Sequence, residues 1–372
     1  MSKRCLFVGV PALLALFLLA DPTAARTWHI LPDGTGDAPT IQAGIDSASA
    51  GDVVEIGCGD YFEWDISVKP DIVLRSESGS PECVIIDAEQ QGHVLLCEAH
   101  GTTLVEGLTL IHGVAFCPVP ECVLNNGGGL FCSLGDVIVH DCVFRDNEAA
   151  GSGGGMFCGT SSEGGVLGPS SAIVTDCLFV DNHAAGGGGF AAGLMGTVEL
   201  TGCIMVGNTA NAHGGGVLAS QGTLTMTGCT LYGNTGQYGG GLGCYEASPL
   251  VQSCIIADNL QGVAVYCEME SAPVLDCCDL YGNEGGDWVD CIAEQVEGSG
   301  NFSANPCFCD ADGGDFHLCA DSWCLAGHHP WGCDDLVGAL GEGCAACDCP
   351  GTVPVEPATL GAVKAIYRSG AR

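Results

Sequence analysis

The sequence predicts an all-β solenoid of about ten stacked coils, opened by a short capping helix and closed by a cysteine-rich cap. Three observations carry that prediction. First, a Cys-x-apolar-x-x-Asn echo occurs six times, from Cys142-Val-Phe-Arg-Asp-Asn147 through Cys177–Asn182, Cys203–Asn208, Cys229–Asn234 and Cys254–Asn259 to Cys278–Asn283. Its cysteines lie 35, 26, 26, 25 and 24 residues apart, and a period in this range denotes stacked supersecondary units. Second, glycine runs followed by apolar residues alternate with the echoes: Gly127–Gly129, Gly153–Gly155, Gly186–Gly189, Gly214–Gly216 and Gly239–Gly241. Third, no helical periodicity occurs between Ile138 and Leu280.

Each repeat holds two or three strands of about 4–6 residues, too short to bury a face alone. Coiling the chain and stacking the coils pairs each strand with its equivalents about 4.8 Å above and below. Alternation then turns Cys142 and Phe144 inward, Val143 and Arg145 outward. Repeated positions become ladders, so Asn147, Asn182, Asn208, Asn234, Asn259 and Asn283 read as amides tying one tight corner. A ligand-binding role for them is the alternative. Glycine suits the other corner, where it accepts positive φ and lets coils approach closely.

Residues 1–25 read as a secretory leader: Lys3 and Arg4, the apolar run Leu6 to Ala20, then small residues at Thr23-Ala24-Ala25. No other stretch is long and apolar enough for a spanning helix, so the mature chain is expected to be exported. Pro39 to Ala48 has helical spacing at Ile41, Ile45 and Ala48, fit to cover the open end of the stack, and Asp52–Ile56 is expected to begin the strands. After Asn283 the pattern loosens, and Asn301–Pro306, Gly314–Leu318 and Asp335–Gly341 read as closing strands. The expected organisation is a leader (1–25), a coil stack with its caps (26–344), a Pro/Cys-rich linker (345–357) and a tag-like segment (358–372), in a monomer.

The glycine runs and the Cys-x-Phe-x-x-Asn echo resemble right-handed parallel β-helix repeats of exported bacterial proteins. They are similar to polymorphic outer-membrane protein repeats, marked by Gly-Gly-apolar and Phe-x-x-Asn units, over about residues 104–283. The segment Asp33-Gly-Thr-Gly-Asp-Ala-Pro-Thr-Ile-Gln-Ala-Gly-Ile-Asp46 resembles the capping helix of pectin-lyase-like β-helices, including pectin methylesterases, and Gly107-Leu-Thr-Leu-Ile-His-Gly113 resembles an early coil. The resemblance implies a single-stranded right-handed parallel β-helix. It implies no catalytic residues. The Gln-Asp and Asp-Phe-Ile-Phe-Gly segments of pectin methylesterases are absent, and of the polygalacturonase motifs only Asp334-Asp335 is present, in the cap. Pectate lyases use an Arg or Lys base beside calcium-binding aspartates.

Charge narrows the functions further. The formal net charge is −36, and no Lys or Arg occurs between Asp146 and Val363. Nucleic-acid binding, which needs a basic surface, is excluded, and anionic uronate polymers would be repelled unless bridged by calcium. No cofactor is called for, with calcium the one candidate. Asp146 and Asp181 occupy equivalent turn positions in adjacent coils, as do Asp141 and Asp176, so Asp146 and Asp181, with Arg145 beside them, form a candidate Ca²⁺ pair; the alternative is ordinary turn aspartates. His112, His140, His183 and His213 lack zinc-ligand spacing, and serine-nucleophile, phosphate-loop and dinucleotide motifs are absent.

Of the 26 cysteines, the echo column is expected to act as small apolar side chains, with some adjacent bridges as the alternative. Those from Cys291 to Cys349 are expected to staple the cap, Cys344 and Cys347 having metal-like C-x-x-C spacing as well, and Cys117 and Cys122 to close a Pro-rich insertion. The functional expectation is an exported, surface-associated, non-catalytic protein, with adhesion or glycan binding as its role. A divergent carbohydrate-active lyase, hydrolase or esterase is the alternative.

Overall fold

A computed structural model describes residues 25–98, 100–116, 125–160, 168–296, 299–329 and 332–347. The leader up to residue 24, the Cys117/Cys122 insertion, the linker beyond Cys347 and the segment 358–372 lie outside these residues. Within them the chain is a parallel β-helix. One sheet has ten strands, from Thr27–Ile30 to Val274–Asp276, a second has nine, from Gly59–Phe62 to Asp279–Tyr281, and a third has twelve. Every strand of the stack pairs in parallel with its equivalent one coil away; for example Val143, Phe144 and Arg145 face Leu178, Phe179 and Val180. Strand pairing begins earlier than the sequence indicates: Thr27–Ile30 already lies beside Val53–Ile56. Trp28 belongs to that first strand because its indole N–H donates to Asp52, whose carboxylate also accepts from the Arg26 and Ser49 backbone N–H groups.

The capping helix forms at Ile41–Ser47. Thr40 accepts at its N-cap from Ala43 N, and the Glu63 carboxylate takes the otherwise orphaned N–H groups of Ile41 and Gln42. Ile41 and Ile45 are fully buried against the first coils.

Both corners of the coil explain the echo. The residue before each ladder cysteine has positive φ, between 49° and 62° at Asp141, Asp176, Gly202, Gly228, Ser253 and Cys277, as has Gly107 at the same corner one coil earlier, before Leu108. The residue before each ladder asparagine does too, between 50° and 70° at Asp146, Asp181, Gly207, Gly233, Asp258 and Gly282, as does His112 at the same corner one coil earlier, before Gly113. Gly and Asp recur there because they adopt the left-handed conformation at low cost.

The asparagines form a continuous buried ladder. Asn182 Oδ1 accepts from Asn147 N and Nδ2, Asn208 Oδ1 from Asn182 N and Nδ2, and so on to Asn283, all at 2.6–3.3 Å. Each Nδ2 also donates to a carbonyl of the preceding coil, as Asn208 does to Phe179 at 2.9 Å. Gly113 N donates to the Asn147 end, and at the other end the Asp287 carboxylate accepts from Asn283 N and Nδ2 at 3.0 and 2.7 Å. The two sequence signatures are one device: a Cβ on Gly189, the last glycine of its run, would lie 3.2 Å from Asn208 Cγ and 2.8 Å from Gly216 O. Bulk in the glycine run would push the ladder apart.

The cysteine column runs parallel to it as free thiols. Cys142, Cys177, Cys203, Cys229, Cys254 and Cys278 are buried and unbridged. Most donate to carbonyls of their own turn and the previous coil, as Cys203 does to Thr201 and Val174 at 3.4 Å. Burial pushes the Cys177 and Cys254 thiols up, keeping them neutral. Asn301 takes the next place in this column, its Oδ1 accepting from Cys278 N at 2.9 Å.

The cap departs from expectation in two ways. Neither Asn301–Pro306, which adds only the single bridge of Phe302 to Asp279, nor Asp335–Gly341 forms a strand; a short hairpin, Phe308–Asp310 with Asp315–Cys319, is joined instead by Glu342–Cys344. The cap also folds back along the second sheet. Phe302, Leu318, Val337 and Cys324 pack on the outward-facing Ile255, and Phe308 and Phe316 meet Tyr232 edge-on at 5.7 and 5.3 Å. Disulfides Cys267–Cys291, Cys277–Cys333, Cys309–Cys344 and Cys319–Cys347 hold it. Cys344 and Cys347 thus belong to separate disulfides. A further bridge, Cys58–Cys83, joins the first two coils and was not anticipated.

Candidate functional site

The residues singled out as a calcium pair fall on the corner before the asparagine ladder. Asp146 and Asp181 have φ of 55° and 52°, and the Arg145 guanidinium lies 3.5 Å from Asp146. Burial raises the Asp181 carboxyl above the usual range, the Asp146 charge adds to this, and Arg145 opposes it. The next coil carries Gly207, whose missing side chain leaves room for the Asp181 carboxylate. Among the described residues, neither aspartate belongs to a group of three or more His, Cys, Asp or Glu donors within 4.8 Å of one another. Asp141 and Asp176 lie at the other corner beside His140, whose Nδ1 is 2.9 Å from Thr175 Oγ1 and 3.7 Å from Asp176. Burial raises Asp141 as well, His140 opposes that shift, and Asp176 and Glu106 add to it.

The histidines pair off across coils rather than converge. His112 meets Asp87 at 3.0 Å, His183 meets Glu148 at 3.8 Å and His213 meets Glu268 at 3.4 Å. The first two pairs tie neighbouring coils of an acidic stack, and His213–Glu268 reaches across two. A different buried acid, Asp279, sits under the cap. Its carboxylate accepts from Ala304 N at 2.9 Å and from the Cys324 thiol at 3.3 Å, and burial raises it well above the carboxylate range. It is closed off from solvent and acts between stack and cap.

The most site-like feature is on the outer face of the third sheet. Strand alternation there sends Leu130, Met156, Phe190 and Val217 into the core, and Leu96, Phe131, Phe157, Ala191 and Leu218 outward in register. A solvated face would carry polar residues at these places. These five instead form an apolar cluster of their own, with Phe131 and Phe157 stacked at 5.7 Å. Glycine shapes the surface around them: a Cβ on Gly193 would run into the Phe157 ring.

A cleft of about 160 Å³ opens over Phe157, Ala191 and Leu218, rimmed by Asn126, Ser152, Thr160, Ser220 and Gln221. One coil further along the same row is Gly243, then Tyr266. The His213 side chain lies over Gly243, and its ring stacks on Tyr238 at 5.0 Å and Tyr266 at 5.6 Å. The five residues of the row are buried, and the patch of three rings follows them along the same sheet. Burial and the nearby Glu268 raise the Tyr266 phenol, so it stays neutral. The cleft lining contains no titratable side chain among the described residues. It offers hydroxyls and amides over an apolar cluster that is itself buried, the makings of recognition without acid–base chemistry.

Sequence reasoning passed over this row. The signal was present: the middle residues of Leu130-Phe-Cys132 and Met156-Phe-Cys158 are apolar where alternation calls for polar ones.

The molecule is a right-handed parallel β-helix protein. Residues 167–302 match the family described as "Right handed beta helix region". Solved structures similar to it include a pectate lyase at 10% identity, covering 69% of this chain and 70% of that one, with a TM-score of 0.47. A pectin methylesterase from carrot aligns at 13% identity, covering 73% and 86%, with a TM-score of 0.40. The pectin methylesterase of Aspergillus niger aligns at 11%, covering 74% and 94%, with a TM-score of 0.41. Comparison with curated proteins gives no match.

Proposed function

We propose that this protein is an exported, non-catalytic β-helix that binds an extracellular glycan or cell-surface partner along its outer flank. One observation carries the reading: the cleft is lined by neutral hydroxyl and amide groups over a buried apolar cluster, and among the described residues its lining holds no titratable side chain. Export accords with disulfides at both ends of the fold and with the leader-like residues 1–25. The Ca²⁺ candidates Asp146 and Asp181 have no part in it.

The test joins a glycan array to a reducing-sugar release assay on the same polysaccharides. Binding without release is expected. Turnover of any polysaccharide would replace this reading with the enzymatic one, in which the protein is a divergent lyase, hydrolase or esterase like those its fold resembles. Fractionation of the expressing cell tests export, which retention of the chain in the cytosol would refute.

A further inference from the structure

We propose that the four cysteines around the cap hairpin, Cys309, Cys319, Cys344 and Cys347, form a Zn²⁺ site when reduced, the ion taking the place of the two disulfides that close them. This site is independent of the outer cleft and of whatever binds there.

Geometry comes first. Cys309 lies within Phe308–Asp310, while Cys319 and Cys344 end two strands that pair with one another. Cys347 follows Cys344 by a C-x-x-C step. The two bridges do not stand apart. Cys344 Sγ is bonded to Cys309 and lies 3.6 Å from Cys319 Sγ and 3.7 Å from Cys347 Sγ, so it meets all three of the other sulfurs. The sulfurs of Cys309, Cys319 and Cys344 all lie within 4.8 Å of one another. A tetrahedral Zn²⁺ with bonds of about 2.3 Å to each sulfur sets those sulfurs about 3.8 Å apart. The contacts from bridge to bridge already have that spacing, and only the two bonded pairs must part.

Backbone hydrogen bonds hold the segments together whatever the sulfurs do. Ala320 N donates to Cys344 O at 3.1 Å, Leu318 N to Gly341 O at 2.9 Å, and Cys347 N to the Asp321 carboxylate at 3.1 Å. Opening the bridges therefore leaves the four donors beside one another. Cys319 is buried, Cys309 and Cys344 are half-buried and Cys347 is exposed, so an ion reaches the cluster from solvent. The second donor group among the described residues, Cys58, Glu77 and Cys83, stops at three members, one of them a carboxylate.

Donor chemistry chooses the ion. Four thiolates at tetrahedral spacing suit Zn²⁺, whereas Ca²⁺ and Mg²⁺ take oxygen ligands. Each disulfide accepts two electrons from an added phosphine or dithiol reductant and two protons from solvent, giving two thiols. Zn²⁺ then displaces the four S–H protons to solvent. The small cap sheet thereby has a closure under reducing as well as oxidising conditions.

The experiment uses the full chain, reduced with a phosphine in metal-free buffer without oxygen and titrated with Co²⁺, whose visible absorption reports tetrahedral thiolate ligation. A single Co²⁺ per chain should give that absorption, and Zn²⁺ should displace it. Hydrogen exchange at Phe308–Asp310 and Asp315–Cys319 should quicken on reduction and slow again when Zn²⁺ is added. The paired replacement Cys319→Ser with Cys344→Ser should abolish both responses, while Cys277→Ser with Cys333→Ser, which removes another bridge of the same cap, should keep them. That pattern supports the assignment. Absence of the tetrahedral absorption, its survival in the Cys319/Cys344 variant, or its equal loss in the Cys277/Cys333 variant with the stack amides still protected overturns it. Uptake of Cu⁺ with neither Co²⁺ nor Zn²⁺ bound overturns the choice of zinc.

Discussion

The repeating coils and the C-terminal cap solve the same problem by opposite means. Among the described residues, ten of the eleven free cysteines, from Cys97 to Cys278, belong to the stack and are buried, and cohesion there comes from hydrogen bonds between equivalent residues of adjacent coils. In the cap the period lapses, and disulfides such as Cys277–Cys333 and Cys319–Cys347 take over. A ladder works only where each coil offers the same group at the same place. Asn301 and Phe302 still pair with the last coil, but no further coil follows them, and covalent links supply the constraint beyond. The N-terminal coils, which precede the echo, show the same pattern in Cys58–Cys83.

The comparison breaks most decisively at Asn208. Replacing it with Ala removes the acceptor for Asn182 N and Nδ2, takes the amide donor from the Phe179 carbonyl and leaves Asn234 Oδ1 with the Asn208 backbone N–H alone, all inside the stack. The expected loss is about 3–5 kcal/mol in chemical denaturation, because buried polar groups left unpaired cost more than the bonds themselves contribute. A loss under about 1 kcal/mol would show that the ladder is ornamental.

Reduction sharpens the contrast. Under mild reductant the cap should lose about 2–4 kcal/mol per broken bridge and exchange its amide hydrogens, while the amides of Val143–Arg145 through Ile255–Ala257 stay protected. Equal exchange in both regions by mass spectrometry would mean that the two form one cooperative unit.

A smaller effect is expected at the seam, where Asp279 is enclosed by Ala304 and Cys324. Burial raises its folded-state pKa, so folding favours the protonated acid. The associated stability is complete below about pH 4, the ordinary range of an unfolded aspartate, and is lost as pH rises through the folded value. Asp279→Asn should therefore melt higher than the parent at pH 7, the gap closing toward pH 4. A gap that widens on acidification would reverse the assignment.

The least effect is expected from calcium. Asp146 and Asp181 occupy left-handed corner positions with Arg145 alongside, so millimolar Ca²⁺ should leave the melting temperature unchanged in both the parent and Asp181→Ala. A rise in the parent that is lost in the variant would establish a cation site.

Most of the stack could be read in advance because its contacts are local in period. The inward Cys142 and Phe144, the outward Arg145, the asparagine column and the helix over Ile41 and Ile45 all lie where spacing alone puts them. The glycine runs were legible as close-approach points, though their contact with the asparagine amides was not. Near the cap the same reasoning misplaced a strand at Asp335–Gly341, because no repeat fixed what that segment would meet.

From the sequence alone came the repeat, the corners that demand Asp or Gly, and an acidity hostile to anionic ligands. Only the tertiary structure decided which cysteines join, that the cap lies along the second sheet, and that Phe157, Ala191 and Leu218 gather on an outer face beside His213 and Tyr238. The division has one physical cause. In a stack, every residue's neighbour is its own equivalent one period away, so sequence spacing is already spatial proximity. The cap and the outer cleft join segments with no shared period, and their proximity exists only after the coils have closed.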